Sequence, residues 1–371
     1  MLQTMKQSPS NRNGGGILPL FDQYPTLCKQ IPWMPLGGWP TPITEACLFA
    51  ARNGLSSFHV KREDLSHAEC GGNKVRGLEF LLARARQRGA RALITMGSAG
   101  SHHVCKTAWH ARTLGMKTTA LILDQPPADY VRHNLLAGVA VGASYIPANY
   151  LTIVPKFAWH LLRGDRANGK LHYIPPGGTS PLACLGHVNA ALELRRQIDA
   201  GAMPEPDYLF AAMGSLGTMA GLAVGCKLAG LRTRLVGVVV SYRWYCTPGR
   251  WARMARRTLR MMRRYDPTVP HIEIAARELT VIGSALGDGY AHVTEAGADL
   301  VREFHDCQQI QLDTTYTAKT LDGAMQFIRR RGLEGKTHLF WHSFHDTSVS
   351  AQAPMDRIPP ALRPYFDGRA G

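Results

Sequence analysis

The feature that most limits how this chain can fold is a repeated exchange between short apolar runs and segments with helical periodicity. Largely apolar runs of strand length cover residues 58–62, 92–97, 118–124, 208–214, 234–242 and 337–342. Apolar residues recur at helical spacing between them, in segments 75–88, 102–113, 128–136, 182–198, 218–228, 292–305 and 321–331. Apolar strands separated by helices are typical of parallel sheets covered on both faces. The pattern therefore predicts an α/β fold.

The length of 371 residues suits two domains, at roughly 150 residues each. A stretch rich in proline and glycine at 173–181 interrupts regular structure and is the best internal boundary. The first sixteen residues are polar, without the apolar segment of a secretion signal, so we expect a disordered leader. The predicted units are a leader at 1–16, a large domain from 17–76 and 182–350, a small domain at 77–181, and a tail at 351–371.

The charge of the chain raises the question of a polyanionic partner. Lysine and arginine number 43 against 27 acidic residues, a net charge of +16. Much of this excess lies in 250–264, which carries seven arginines, no acid, and apolar residues at roughly helical spacing. Such a helix could lie on nucleic acid or on an anionic membrane. Because no nucleic-acid-binding motif accompanies it, we expect a solvated helix and no nucleic-acid partner.

Two further features bear on the compartment. Eight cysteines in a chain of this length, with no CxxC pair, predict reduced thiols and a reducing compartment, which we interpret as the cytoplasm. Segment 209–226 has no charge, and its glycines at 217, 221 and 225 have the spacing of helix dimers in lipid. Glycines and hydroxyl residues interrupt this run, and Asp207 precedes it. A buried strand, a glycine turn and a buried helix therefore explain it better than a membrane span.

Ligands of open parallel sheets bind at the loops that lead from strands into helices. In the first such loop, Gly71 and Gly72 allow a tight turn, and Asn73 and Lys74 begin a helix. The positive end of the helix dipole disfavours an ammonium at this place, so the amine of Lys74 is expected to be neutral. A neutral lysine is what a Schiff base requires. The alternative is a surface lysine beside a turn.

Three other loops carry candidate residues. The loop at 213–221 offers backbone amides and a helix N-terminus to an anion; without a lysine it suits a single phosphate, or it is only a turn. The loop at 96–108 carries Ser101 and the adjacent His102 and His103, which point about 100° apart on a helix, so no metal site is expected. The last region, 287–320, places two tyrosines and a threonine where strands end, for catalysis or packing.

Together, these motifs resemble pyridoxal-phosphate enzymes of the tryptophan synthase β superfamily, fold type II. The branch they resemble most contains D-cysteine desulfhydrase and 1-aminocyclopropane-1-carboxylate deaminase. The resembling stretches occur at 41–44, 60–82, 98–116, 214–225, 287–290 and 312–325, within a span of about 36–345. The resemblance implies a larger and a smaller domain, each with an open, twisted, mostly parallel sheet covered by helices. It also implies pyridoxal 5′-phosphate between the domains, and a homodimer.

The resemblance further implies roles for individual residues. Lys74 would form the Schiff base and shuttle the α-proton, and Ser101 would meet the substrate carboxylate. Tyr290 and Tyr316 would flank the substrate, with Tyr316 placed for proton transfer or stacking. The residues that would bind the cofactor, besides Lys74, are Asn73, His102, Gly214, Ser215, Leu216, Gly217, Thr218 and Thr317.

Thr317 separates two activities within the branch. The ring-opening deaminases carry a glutamate there, which keeps the pyridine nitrogen protonated and the ring a strong electron sink. A threonine hydroxyl can donate a hydrogen bond but cannot hold a full proton. We therefore expect a lyase that removes ammonia and a β-leaving group such as sulfide from a small, D-cysteine-like amino acid. A 1-aminocyclopropane-1-carboxylate deaminase and a β-replacement synthase remain alternatives.

Three departures from the family pattern affect the site. His102 stands where an asparagine bonds the ring oxygen of the cofactor; an imidazole could donate this bond, but it is bulkier and titrates near neutrality. Leu216 replaces a common glycine, although its amide remains. Phe344 lies where His-Thr-Gly-Gly is usual, and the chain reads His-Ser-Phe-His. The pocket is therefore either reshaped or decayed, which leaves open an altered cofactor-binding or interaction protein.

Overall fold

The strands of the chain form two separate sheets in the computed structural model, which describes residues 18–168, 170–347 and 355–367. The predicted leader at 1–16 lies outside the described residues, as do the first and last four residues of the predicted tail. The strands are β1 (Ile43–Glu45), β2 (Ser57–Arg62), β3 (Ala92–Ser98), β4 (Lys117–Leu123), β5 (Ser144–Ala148), β6 (Leu171–Tyr173), β7 (Tyr208–Met213), β8 (Arg234–Val239), β9 (Thr280–Ile282) and β10 (Thr337–His342).

Both sheets are mostly parallel. The larger has the order β1-β2-β10-β7-β8-β9, and only its edge strand β1 runs antiparallel to its neighbour. The smaller has the order β5-β4-β3-β6, with parallel pairing throughout. The predicted α/β class with two mostly parallel sheets is therefore confirmed. The exact limits of the two domains stay a prediction.

Helices cover the sheets at nearly the predicted positions. The predicted helix at 102–113 has the observed limits, and the others begin or end within a few residues of their predicted ends. The helices are α1 (Pro19–Gln23), α2 (Pro25–Gln30), α3 (Cys47–Arg52), α4 (Lys74–Gln87), α5 (His102–Thr113), α6 (Asp129–Ala140), α7 (Ile153–Asn168), α8 (Pro181–Asp199), α9 (Gly217–Leu228), α10 (Pro248–Tyr265), α11 (Glu295–Gln308) and α12 (Thr317–Arg331).

The uncharged segment at 209–226 folds as β7, a glycine turn and the buried helix α9, as predicted. Its glycines serve a close helix contact. A Cβ at Gly221 would lie 2.4 Å from the carbonyl oxygen of Cys184, and one at Gly225 would lie 2.6 Å from that of Val188. Helix α9 therefore packs directly on the backbone of α8. Within the described residues, no helix is both long and apolar enough to cross a membrane.

The arginine-rich segment forms helix α10 with two distinct faces. Trp251, Leu259 and Met262 are buried in the core of the large sheet. The arginines lie on the opposite, exposed face. Because the apolar face is already covered by the protein itself, only the charged face of α10 is free to meet another molecule.

Part of the predicted tail belongs to the folded body. Ile358, Leu362 and Tyr365 are buried and pack with Val131 and Leu135 of α6 in the core of the small sheet. The hydroxyl of Tyr365 accepts a hydrogen bond from the backbone N–H of Gln125, 2.9 Å away. Residues 355–367 therefore close one side of the small sheet.

A buried ion network joins the larger sheet to α4 and α8. The guanidinium of Arg76 on α4 contacts Glu63 at 2.6 Å and Glu193 of α8 at 2.9 Å. Lys61 of β2 contacts the same Glu193 at 2.6 Å, and the backbone N–H of Thr41 donates to it. The two cations and two anions balance, and all four side chains are almost fully buried. This network fixes the first turns of α4 against the sheet.

Replacing Glu193 by glutamine is predicted to lower the free energy of unfolding by about 3–5 kcal/mol. The change leaves Arg76 and Lys61 with one anion between them in a buried site. Urea unfolding followed by circular dichroism measures the effect. Asp199→Asn is the matched control, because it removes an exposed ion pair with Arg195 from the same helix and should leave the free energy of unfolding almost unchanged. Equal losses in the two variants would contradict the account of the network.

Candidate active site

Lys74 is the first residue of α4, and its side chain lies against the loops that follow β6 and β7. Its Nζ donates to the carbonyl oxygen of Gly177 at 3.1 Å and to the hydroxyl of Ser215 at 3.4 Å. A small cavity beside the side chain is also lined by His103, His187, Gly217 and Thr218. The predicted proximity of Lys74 to the glycine turn is therefore present in the structure.

Burial lowers the pKa of the Lys74 amine from 10.5 to about 8. Desolvation is the main cause, because the amine has lost water and faces no carboxylate that would stabilise its charge. The helix dipole was expected to keep the amine neutral, whereas in the structure burial is the main cause of the shift. At pH 7 roughly a tenth of Lys74 is uncharged and able to act as a nucleophile, far more than for a lysine with the usual pKa of 10.5.

The turn from 214 to 218 presents free backbone donors beside this amine. Leu216 adopts a left-handed conformation with φ +70°, and its side chain is buried in the core. This conformation, unusual for a residue with a Cβ, turns the amides toward the start of α9. Among the described residues, none accepts a hydrogen bond from the backbone N–H of Ser215 or Leu216. With the first amides of α9, the turn forms a site for a small anion.

Two hydrogen bonds hold this turn in place. The Asn73 amide donates to the hydroxyl of Thr218 at 2.9 Å, and the hydroxyl of Thr179 donates to the carbonyl oxygen of Ser215 at 2.7 Å. Gly177 lies so close that a Cβ there would be 2.5 Å from the Cβ of Ser215. The contacts keep the turn and the N-terminus of α4 at a fixed separation.

A second group of polar side chains forms a hydrogen-bonded chain at the end of β3. The hydroxyl of Tyr290 lies 2.8 Å from that of Ser98 and 2.7 Å from that of Tyr316. Burial raises the pKa of both tyrosines, that of Tyr316 well above its ordinary range. Both phenols are therefore protonated at physiological pH and can donate protons or hydrogen bonds.

His102 links the two groups. Its ring lies 5.5 Å from Tyr316 and 5.4 Å from Tyr130, between ring centroids. Its Nδ1 lies 3.0 Å from the side-chain amide nitrogen of Asn134, so Nδ1 accepts and the proton is on Nε2. Nε2 is buried and has no hydrogen-bond partner among the described residues. This N–H is therefore a hydrogen-bond donor for which the described residues supply no acceptor.

The charge of His102 differs from the sequence expectation. Burial, with Lys106 and Lys74 nearby, lowers the pKa of the imidazole well below 6.5. The ring therefore stays neutral at physiological pH. From the sequence, a histidine that titrates near neutrality was expected. The second departure from the family pattern, Phe344, packs against this histidine. The ring of Phe344 lies 5.2 Å from that of His102 in an edge-to-face arrangement. The two unusual residues fill one space together, which favours a reshaped pocket.

Thr317 is anchored by a residue that the sequence analysis missed. Its hydroxyl donates to the carboxylate of Asp313 at 2.7 Å and accepts from the N–H of Asp313 at 2.8 Å. The same carboxylate accepts from the backbone N–H of Thr315, Tyr316 and Thr317 and so caps α12. In this structure the hydroxyl proton of Thr317 is directed to Asp313. Donation to a ring nitrogen would require that bond to open.

The remaining predicted residues lie at the start of α5. The hydroxyl of Ser101 accepts from the N–H of Val104 at 3.4 Å and caps the helix. The next two histidines point to different neighbours, His102 to Asn134 and His103 to Thr95. In the part of the chain that the structure describes, no group of three metal-ligating side chains is present.

Several residues near the site were not assigned from the sequence. They are Gly177, which contacts Lys74; Tyr130, which stacks on His102; Asp313; and Tyr242, which stacks on Tyr290. Asp313 alone had a recognisable signal, since an aspartate before Thr-Thr-Tyr-Thr is a helix-cap pattern. The others are brought in by tertiary packing that no local pattern encodes.

Comparisons with known proteins agree with this geometry. The profile of a family described as pyridoxal-phosphate dependent enzyme matches residues 34–343. The chain is 33% identical to nocardicin C-9′ epimerase from Nocardia uniformis subsp. tsuyamanensis, over 91% of this chain and 99% of that protein. It is 31% identical to D-cysteine desulfhydrase from Klebsiella pneumoniae, over 81% and 90% of the two chains. A crystal structure titled as an ACC deaminase homologue superposes with a TM-score of 0.74 at 26% identity, over 88% of this chain and 94% of that one.

The lowered pKa of Lys74 predicts a distinct labelling profile. Reductive methylation of the cofactor-free protein should modify Lys74 with a midpoint near pH 8, because only the neutral amine reacts. Peptide mass spectrometry across a pH series measures this, with the exposed Lys29 as an internal reference. If the two lysines showed parallel profiles, the amine of Lys74 would carry an ordinary charge and the account of its burial would be wrong.

Proposed function

Because the chain belongs to the family of pyridoxal-phosphate dependent enzymes, we propose that it catalyses α,β-elimination from a small amino acid such as D-cysteine. Its cofactor is pyridoxal 5′-phosphate. The observation that carries the proposal is the position of the Lys74 amine, whose pKa is lowered to about 8 and which lies beside an anion-binding turn. The related D-cysteine desulfhydrase from Klebsiella pneumoniae is named for a reaction of this kind.

The residues present fit the cofactor. The free amides of Ser215 and Leu216, with the first turn of α9, suit its phosphate. Lys74 would be its covalent anchor, and the unpartnered Nε2–H of His102 is a donor suited to its ring oxygen. When bound, pyridoxal phosphate supplies the electron sink that stabilises negative charge on the substrate α-carbon.

In the proposed reaction, Lys74 takes the α-proton. A lysine can act as a general base near neutral pH when its pKa is close to the working pH, as burial achieves here. Ser101, at the N-terminus of α5, would orient the substrate carboxylate, because helix amides and a hydroxyl both favour an anion. These two contacts would place the α-carbon between α4 and α5.

The tyrosine pair would supply a proton to the leaving group. Tyr316 and Tyr290 are partly buried phenols with raised pKa values, and Tyr290 is joined to both Ser98 and Tyr316 by hydrogen bonds. A departing thiolate needs a proton donor. The phenol would pass its proton to sulfur, and the neighbouring hydroxyls would stabilise the phenolate until it is protonated again. The neutral imidazole of His102 would lie beside these polar side chains without adding a charge.

Thr317 supports elimination over ring opening. With threonine beside the pyridine nitrogen in place of glutamate, the ring would be a weaker electron sink, which suffices when a good leaving group departs quickly. Asp313 fixes the Thr317 hydroxyl and would keep its proton away from the ring. A 1-aminocyclopropane-1-carboxylate deaminase on the same scaffold is therefore less well supported. A β-replacement synthase shares the loss of the leaving group and is distinguished by whether an added thiol is incorporated into the product.

One observation favours a second candidate, an amino-acid epimerase. The nocardicin C-9′ epimerase matches this chain over 99% of its own length. Epimerisation begins with the same removal of the α-proton and differs in that a proton returns to the opposite face. Lys74 and Tyr316 are two separate groups that could exchange protons with the substrate. The two reactions are distinguished by their products.

Location and assembly belong to the proposal as well. The eight cysteines are free thiols, and six of them are buried, which supports a reducing compartment such as the cytoplasm. A homodimer is proposed from the family resemblance. The exposed arginine face of α10 is proposed to be a solvated surface without a nucleic-acid partner.

The purified, cofactor-loaded protein is predicted to release pyruvate, ammonia and sulfide from D-cysteine in equal amounts, with L-cysteine assayed in parallel. Tyr316→Phe should lower kcat/KM about 100-fold, because it removes the proposed proton donor. Tyr173→Phe is the matched control, since this tyrosine is partly exposed and lies in the strand β6; its kcat/KM should be unchanged.

Other outcomes would replace the proposal. Activity confined to 1-aminocyclopropane-1-carboxylate would contradict elimination. Loss of optical activity, or exchange of the α-proton with solvent deuterium, without pyruvate would favour the epimerase. Bound cofactor with no turnover of any amino acid would favour an altered cofactor-binding protein.

A further inference from the structure

We propose that Tyr150, Tyr242 and Trp244 form an aromatic subsite at the mouth of the active site, which binds an aromatic ring carried by the leaving group of the substrate. The inference rests on the proposed elimination and names its substrate class: amino acids of the cysteine type with an aromatic group on sulfur. None of these three residues takes part in the chemistry proposed for Lys74 and Tyr316.

The three rings adjoin Tyr290 and Tyr316, the proposed proton-donating pair. Tyr242 stacks on Tyr290, with ring centroids 6.2 Å apart and an interplanar angle of 29°. The hydroxyl of Tyr242 lies 2.7 Å from that of Tyr150, and its ring lies 6.1 Å from that of Trp244. Since Tyr290 bonds directly to Tyr316, an aromatic surface extends outward from the site of the proposed proton transfer.

The topology explains why these rings meet at the cleft. Tyr150 follows β5 of the small sheet, whereas Tyr242 and Trp244 follow β8 of the large sheet. Both positions lie beyond the carboxyl ends of parallel strands, the edge where α/β proteins bind ligands. The hydrogen bond between Tyr150 and Tyr242 therefore joins the two sheets across the mouth of the site.

The exposure of these rings is unusual for packing residues. Tyr150 is 71% exposed, Trp244 is 68% exposed and Tyr242 is 44% exposed. A cluster of exposed aromatic rings beside a cleft is a feature of binding surfaces. In the proposed reaction, the leaving group of a small substrate such as cysteine would end at the partly buried pair Tyr290 and Tyr316 and would not reach the three rings.

Two arginines hold the rim and set its charge. Arg243 donates to the carbonyl oxygen of Gly283 at 2.7 Å, and the guanidinium of Arg250 lies 5.6 Å from the ring centre of Trp244. Arg250 also lies 5.3 Å from the ring centre of Tyr245. The contact with Arg250 orients Trp244, and the local charge favours neutral or anionic aromatic groups over cationic ones.

The reaction balances with water as the only co-reactant. The Cα–H bond breaks and its proton goes to Lys74, the Cβ–S bond breaks, and the ring-bearing thiolate takes a proton from the tyrosine pair. The proton on Lys74 then returns through solvent to the tyrosine pair, which restores both groups. The remaining aminoacrylate is hydrolysed to pyruvate and ammonia. S-benzylcysteine and water therefore give pyruvate, ammonia and benzyl thiol, with no oxidant or reductant.

The test compares S-benzylcysteine with S-methylcysteine, as both enantiomers, on the cofactor-loaded protein. The wild type is expected to show a kcat/KM for the benzyl compound at least about tenfold higher. Tyr242→Ala and Trp244→Ala should each reduce this benzyl-to-methyl ratio several-fold, while Tyr242→Phe keeps the ring and the ratio. Trp159→Ala is the matched control, because Trp159 is an exposed tryptophan on α7 stacked with Arg163, away from the three rings.

Calorimetric affinities separate a failed subsite from a failed reaction. If no amino acid is turned over, the proposed function is wrong, and the subsite is judged by whether S-benzylcysteine binds more tightly than S-methylcysteine and loses this preference in Trp244→Ala. If cysteine is eliminated but the benzyl and methyl compounds show equal kcat/KM and equal affinity, the subsite is overturned and the elimination stands.

Discussion

The burial of one amine governs the chemistry available to this protein. Lys74 begins a helix at a place where water is excluded and no carboxylate lies near, and this keeps its pKa close to 8. An ammonium on the surface would be inert toward an aldehyde, whereas this amine is a nucleophile and a base under physiological conditions. The turn at 214–218 contacts this amine through Ser215, so that a nucleophile and an anion-binding turn lie side by side.

The packing that buries the amine comes from elements far from the reacting atoms. Glycines allow α4, α8 and α9 to approach at backbone distance: a Cβ on Gly186 would lie 2.2 Å from the carbonyl oxygen of Arg76, and Gly221 has a similar contact on the other side of α8. The ion network around Arg76 then fixes the start of α4 to the large sheet. Rigid placement of a helix N-terminus is what a covalent anchor needs.

The sequence predicted the parts of this fold that have strong local patterns. The central apolar strands and the amphipathic helices were placed within a few residues, because their periodicity reflects burial directly. The strands β1, β6 and β9 were missed since each has only three residues, and β5 was missed because its five residues, SYIPA, include a proline and few apolar side chains. The helix α7 was missed because several of its apolar residues, such as Leu162, are exposed. The positions of Lys74 and the 214–218 turn followed from motifs at strand ends.

The sequence could not show which residues from distant segments contact one another. His102 and Phe344 are separate departures in the sequence, yet their rings pack against one another in the structure. The capture of the Thr317 hydroxyl by Asp313, and the stacking of Tyr242 on Tyr290, likewise depend on segments brought together by the sheets. Such contacts decide charge and pocket shape, and they become visible only in three dimensions.

The most direct measurement is borohydride reduction of the cofactor-loaded protein, followed by peptide mass spectrometry. The account predicts one reduced pyridoxyl group, attached to Lys74, and loss of the visible absorbance band. A pyridoxyl group on any other lysine, or an absorbance band that disappears without a covalently modified peptide, would contradict the central role of this amine.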